Sequence, residues 1–349
     1  MKKALITGIT GQDGAYLANL LLEKNYEVFG GIRRNSQDEL HRLRVLKIHE
    51  KITFINLDIC DQFQVFEAIR NHQFDEIYNL AAQSFVGSSW DLSIPTTNVN
   101  SVGVLYLLES IRRFSPHTKF YQASTSEMFG KILEPIQSET TPFYPRSPYG
   151  VSKLYSHWMT INYRESFGLR ACSGILFNHE GTKRGKEFVT RKITKGVARI
   201  KREINAHMES GYQSSVRPLE LGNLDAKRDW SDSEDFVEGV WLMLNQDTPK
   251  DYILSSNETH SIREFIELAF DAADFHDTEW RGEGLEEQYG CTVGKKWVTL
   301  VKINPKFFRP AEVDLLLGDS NPIREELGWS PKVSFDKLVH KMVKFDLDG

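Results

Sequence analysis

The sequence predicts an α/β fold: a doubly wound parallel sheet carrying a smaller, discontinuous C-terminal lobe. Short apolar runs alternate with helical periodicity through the first half of the chain, which is the pattern of a parallel sheet with helices on both faces. A glycine-rich turn, "GITGQDG", follows the first apolar run at once and opens the first helix. After about residue 177 the regular alternation loosens, so the remainder belongs largely to a second lobe.

Strands are expected over 4–7, 26–30, 52–56, 76–80, 119–123 and 170–174, where β-branched and aromatic residues cluster between turn residues. Helices fill the gaps at 12–24, 62–71, 98–114 and 148–167. Beyond them, helical stretches near 185–203, 232–244, 262–272 and 335–345 are joined by charged or glycine-rich segments, notably "WRGEGLEEQYG" at 280–290. The nucleotide-binding domain is therefore expected over 1–178 with about 228–256, and the substrate lobe over about 179–227 with 257–349.

With 349 residues, 48 acidic against 43 basic side chains and a formal charge of −5, the chain has no basic excess to attract nucleic acid. No apolar run reaches the roughly 18 residues of a membrane span, and the run after Lys2 and Lys3 stops too soon for a signal peptide. Cys60, Cys172 and Cys291 are odd in number and widely spaced, which argues against a disulfide framework or a metal site. A cytoplasmic protein with reduced thiols is expected.

Gly8, Gly11 and Gly14 let the chain turn tightly and let a pyrophosphate approach backbone N–H groups at a helix N-terminus. This is the dinucleotide-binding turn of a Rossmann sheet, and Thr10, Gln12 and Asp13 lie within it. An acid at the end of the second strand would bind the ribose 2′-hydroxyl of NAD. Here "VFGGIRRNS" offers Arg33 and Arg34, with Asn35 and Ser36, which suit a 2′-phosphate and favour NADP, with NAD the alternative. Asp58, beside Ile59, is placed to accept from the adenine amino group, and "LAAQS" (Leu80, Ala81, Ala82, Gln83, Ser84) brings small residues where a cofactor lies against backbone.

Tyr149 and Lys153 in "SPYGVSK" are four residues apart on a predicted helix and share one face. A lysine charge roughly 5 Å away, at an effective dielectric of about 20, favours the phenolate by about 3 kcal/mol, or roughly two pKa units. With a positive nicotinamide ring added, Tyr149 can take a proton from a substrate hydroxyl while hydride leaves its carbon.

Together, "GITGQDG", "NLAAQS", "YQASTSEMFG" and "SPYGVSK" resemble the extended short-chain dehydrogenase/reductase family. "GILFNHE", "FVTRKI", "LGNLDAKRDW" and "FRPAEVDLLLGD" extend the match, and the chain from residue 4 to about 345 resembles the GDP-mannose 4,6-dehydratase family. The resemblance implies that Thr125 holds the sugar O4, that Tyr149 starts an oxidation at C4, and that Glu127 takes the acidified C5 proton and protonates the departing C6 hydroxyl. Hydride then returns at C6 and C5 is reprotonated, so the reaction is redox-neutral. It also implies a GDP-sugar at Ser84, Asn178, Val189, Lys192, Gly222, Arg228, Arg309 and Glu312, and cofactor contacts from His179 and Arg184, the latter across a subunit boundary. A homo-oligomer, tetramer or dimer, is implied, with Arg33–Ser36 near a tetramer contact.

Several positions depart from the family pattern. Ser126 stands where related dehydratases carry an Asp, so Glu127 is expected to perform both proton steps. Segment 201–218 is longer than in the mannose enzymes, "GTKRG" at 181–185 replaces Ser-Pro-Arg-Arg-Gly, and Pro95 replaces a tyrosine near the cofactor. These leave GDP-D-glycero-α-D-manno-heptose as an alternative substrate. A sugar-nucleotide 4-epimerase or reductase would share Tyr149 and Lys153 without needing Glu127, and a non-catalytic NADP sensor would need none of the four.

Overall fold

The structure, a computed structural model, describes all 349 residues except 37, 211–215, 295, 309–312 and 314, and the side chains of 207–210. Strands β1 (Lys3–Thr7), β2 (Glu27–Ile32), β3 (Thr53–Asn56), β4 (Glu76–Asn79), β5 (Lys119–Thr125) and β6 (Ala171–Leu176) join strand Tyr252–Leu254 in a seven-stranded sheet. Its order is Tyr252–Leu254, β6, β5, β4, β1, β2, β3, and every pair is parallel. The chain runs outward from β1 to β3 and then returns to the other side of β1 with β4, so the crevice at the carboxyl ends of β1 and β4 is the switch point where such sheets bind ligands.

Helices cover both faces, which is why the central strands are buried almost throughout. Helix α1 (Gln12–Glu23) and helix Ser233–Leu244 pack Leu17, Leu21, Phe236 and Val240 on one face. Helices Gln62–His72, Gly103–Phe114 and Pro148–Phe167 pack Val65, Ile69, Leu107, Ile111 and Tyr163 on the other.

The second lobe is a four-stranded sheet in the order Thr278–Arg281, Gln288–Val293, Lys296–Ile303, Leu219–Leu221. The first three are antiparallel and the last joins in parallel. Helices Val189–Ser210, Ile262–Asp271 and Phe335–Asp348 close its core around Ile193, Phe265, Phe270, Leu300 and Met342.

Four sequence expectations are corrected. The charged 280–290 segment is a β-hairpin, with Gly282 (φ 78°) and Gly284 (φ 59°) turning its tip. The helix expected from 98 starts earlier, at Ser93, and passes through a π-helical turn, Asn98–Val102, before continuing as helix Gly103–Phe114. The helix expected from 185 starts at Val189. Strand Tyr252–Leu254, three residues long, went unpredicted.

Candidate active site

The redox helix Pro148–Phe167 begins where its sequence says it should. Ser147 caps it by accepting from the Gly150 N–H at 3.0 Å, and Pro148 occupies the first turn, where its missing N–H costs nothing. Tyr149 and Lys153 are thereby placed beside the end of β5, both buried. Lys153 Nζ donates to the Ala123 carbonyl at 3.0 Å and lies 6.0 Å from the centre of the Tyr149 ring. β5 ends at Thr125, whose side chain shares a hydrogen bond with Tyr149 and accepts from the Glu127 N–H at 3.3 Å. The four predicted catalytic residues are therefore gathered at one strand end, with Glu127 half-buried in the following 3-10 turn, Ser126–Met128.

The electrostatics differ from what the Tyr149–Lys153 spacing alone implies. Burial pushes the Tyr149 phenol up to about 12; the Thr125 hydrogen bond and Arg184 pull it down, while Glu127 and Asp13 push it up. Burial also lowers the Lys153 ammonium to about 8, against the pull of Asp13. In the folded chain the Tyr149 pKa therefore stays well above neutral, because burial of the phenolate outweighs the Thr125 hydrogen bond and the Arg184 charge that favour it.

The glycine-rich turn abuts this site through β4. Gly8 adopts φ +69°, and a Cβ there would come within 2.8 Å of the Ala81 nitrogen, so the turn lies directly on the "LAAQS" loop. Gly11 N–H donates to the Gly8 carbonyl at 3.0 Å and starts α1, which has no side-chain cap. This leaves N-terminal N–H groups for an anion, as a pyrophosphate requires. Gln12 Oε1 is buried without a hydrogen-bond partner at the same turn. Gln83 N–H donates to Asn100 Oδ1 at 2.9 Å, Asn100 Nδ2 donates to Ser152 Oγ at 3.1 Å, and Ser152 Oγ donates to the Tyr149 carbonyl at 2.7 Å. The cofactor loop and the redox helix are thus tied together.

At the far end of the crevice, Arg33, Arg34, Asn35, Asn56, Asp58 and Gln64 line a cleft of about 450 Å³. Gln64 Oε1 accepts from the Asp58 N–H at 3.0 Å, and Asp58 Oδ1 accepts from the Cys60 N–H at 2.9 Å, which fixes the floor beside Ile59. The guanidinium groups on its rim and the carboxylate on its floor fit a phosphorylated adenosine. Ser36 is exposed next to them. Among the described residues no His, Cys, Asp or Glu cluster could hold a metal ion.

On the other side of the crevice, His179 in strand Asn178–Glu180 meets Asp13 at 2.8 Å. Arg184 pairs with Glu180 at 3.0 Å and stacks 3.6 Å from the Phe188 ring centre. Lys192 Nζ lies 3.5 Å from the Phe307 ring centre, and a Cβ on Gly222 would stand 2.6 Å from the Phe307 carbonyl oxygen, so Phe307 joins Lys192 to Gly222. Val189 opens the same helix as Lys192, Asn178 pairs in register with Trp230, and Arg228 is buried two residues before that tryptophan. Arg309 and Glu312 lie outside the described residues, as does most of the tip of the 201–218 segment, whose start extends helix Val189–Ser210. Ser84 is exposed at the mouth, and Pro95 sits in helix Ser93–Thr97.

Sequence reasoning missed Asn100, Ser152, Asn56, Gln64, Arg42 and Phe307. Arg42 donates to the carbonyls of Thr10 at 3.0 Å and Lys183 at 2.7 Å, latching the 181–185 loop to the glycine turn. The π-helical turn that carries Asn100 leaves no mark in the hydrophobic pattern, although such turns concentrate at functional sites.

The sequence profile described as GDP-mannose 4,6 dehydratase matches residues 5–342. A GDP-mannose 4,6 dehydratase of Drosophila melanogaster is 48% identical over 99% of this chain and 86% of its own, and one of Vibrio cholerae is 45% identical over 99% and 94%. Among solved structures, a UDP-glucose 4-epimerase of Thermotoga maritima superposes with a TM-score of 0.79 at 19% identity, covering 98% of each chain, a likeness of fold alone. Profile, relatives and fold converge, and the chain belongs to the GDP-mannose 4,6-dehydratase family of hydro-lyases.

Proposed function

We propose that this protein converts GDP-mannose to the GDP-4-keto-6-deoxy sugar with loss of water, using NADP that is regenerated in each turnover. The observation that carries the reading is the meeting of Thr125, Glu127, Tyr149 and Lys153 at the end of β5, beside the glycine turn. A nicotinamide cofactor bound along the crevice supplies acceptance and return of a hydride.

The chain's own residues do the rest. Thr125 holds the C4 oxygen next to Tyr149, and Tyr149 takes the hydroxyl proton. Lys153, fixed on the Ala123 carbonyl, supplies positive charge for the phenolate. Glu127 lies within the same turn, where it removes the C5 proton and delivers a proton to the leaving C6 hydroxyl, which departs as water; once hydride is back on C6, C5 regains a proton. With Ser126 beside it instead of a second carboxylic acid, Glu127 serves both proton steps. Lys192, Arg228 and Asn178 are assigned to the GDP moiety, together with Val189 and Gly222. NADP is favoured over NAD because two arginines rim the cleft where the second ribose would lie.

Val151, Tyr155 and Trp158 are exposed on the redox helix beside exposed Ile94, and this apolar face supports assembly as a homo-oligomer. The unpaired cysteines support a cytosolic setting. Among the described residues no helix is long and apolar enough to cross a membrane.

The test is to incubate the protein with GDP-mannose and, separately, with GDP-D-glycero-α-D-manno-heptose, and to follow product mass and NADPH absorbance. Loss of one water from GDP-mannose with no net NADPH is expected. Water loss only from the heptose would reassign the substrate, and stoichiometric NADPH, or no water loss from either sugar, would refute dehydration.

A further inference from the structure

His179 carries a feature that cofactor contact alone does not explain. Both of its ring nitrogens face acceptors: Nδ1 is 2.7 Å from the Phe177 carbonyl oxygen and Nε2 is 2.8 Å from Asp13 Oδ2. A neutral imidazole has one N–H and can satisfy only one of them, whereas an imidazolium satisfies both. The ring is held by stacking on Phe236, with centroids 4.8 Å apart. Gln12 Nε2 donates to Asp13 Oδ1 at 3.1 Å and to the His179 carbonyl at 3.2 Å, so the pair is braced from α1 as well.

Burial works against charge on both partners, and their attraction overrides it: Asp13 is held below the usual carboxylate range and His179 above the usual imidazole range. Arg184 faces the pair from the 181–185 loop, favouring the Asp13 carboxylate and opposing the imidazolium. Arg42 approaches Asp13 from helix His41–Val45. On the remaining side stand Lys153 and Tyr149. Asp13 favours charge on the former and opposes ionisation of the latter, as Glu127 also does.

We propose that His179 is a fixed imidazolium that cancels the Asp13 carboxylate and so keeps it from holding the proton on Tyr149. His179 is a positioning residue, acting on the proposed base through Asp13. The proposal rests on Tyr149 being the base of the proposed dehydration.

Nuclear magnetic resonance of the ligand-free protein labelled with ¹⁵N-histidine tests the first half. His179 gives the imidazolium pattern at pH 8 in the native chain and loses it in Asp13→Asn. The acidic limb of the pH profile of kcat/KM, at saturating cofactor, tests the second half. His179→Asn leaves Asp13 uncancelled and moves the limb upward by about one pH unit. The double variant Asp13→Asn/His179→Asn moves it back to the native position or below. A purely structural role would lower the rate at every pH, leave the limb in place and make the double variant worse. Neutral His179 at pH 7, or an unmoved limb in His179→Asn, overturns the proposal. Full activity in Tyr149→Phe would instead refute the assignment of the base, and the resonance result would stand apart from it.

Discussion

The two lobes organise chemistry in opposite ways. In the parallel sheet, each functional group sits in a short motif whose own backbone places it: Gly8 in its left-handed turn, Thr125 at a strand end, Tyr149 one residue inside a capped helix. In the second lobe, Lys192 reaches Phe307 from a distant helix and Phe307 packs on Gly222, so the candidate site there exists only after the mixed sheet has folded. The first lobe's chemistry is local and exposed to single substitutions, and the second lobe's depends on its core.

Substitutions can break this contrast. The largest effect is expected from Glu127→Gln, which should lower dehydration by roughly 10²–10⁴-fold with the thermal midpoint unchanged. Assayed by product mass and trapping of the keto group, the 4-keto species should still form. Phe265 is fully buried against Trp230 and Phe335 in the second lobe. Phe265→Ala should cost about 3–5 kcal/mol of stability by denaturant unfolding, and GDP binding should fail with it. If GDP affinity survives while the lobe unfolds, the nucleotide site is not built there.

Smaller effects sharpen the comparison. Replacing Arg33 and Arg34 together by Ser should weaken NADP binding by roughly 10–100-fold and leave NAD binding nearly unchanged, measured by calorimetry. Equal losses for both cofactors would remove the arginines from 2′-phosphate recognition. The smallest effect concerns the Asp13–His179 pair and pH. His179 is raised in the folded state, so its contribution is complete below its unfolded value and fades as pH rises through the folded one. Asp13 is lowered, so its contribution is present above its unfolded value and fades as pH falls through the folded one. The thermal midpoint should therefore decline on both sides, and His179→Asn should flatten the alkaline side.

How much could be read beforehand follows from the same contrast. The strands β1 to β6, the glycine turn and the Ser147–Pro148 helix start are set by neighbours in sequence, so they were legible. The high proton affinity of Tyr149 was not, because it comes chiefly from burial in the folded chain, with the Glu127 carboxylate adding to it. The 280–290 hairpin was hidden because its tip is as charged and glycine-rich as a linker, while Trp280 and Tyr289 meet across it, tilted with centroids 4.7 Å apart, only once paired. Strand Tyr252–Leu254 is too short to show a period, and its place is decided by pairing with β6. Asn100 acts through Gln83 and Ser152, contacts that no spacing along the chain could announce.

The central claim is that one site oxidises C4 and reduces C6 of the same sugar. GDP-mannose carrying deuterium at C4 tests it most directly. The account predicts that, in a mixture with unlabelled substrate of distinguishable mass, deuterium appears at C6 of the product from the labelled molecule. Deuterium retained at C4, lost to solvent, or passed to the other substrate would contradict it.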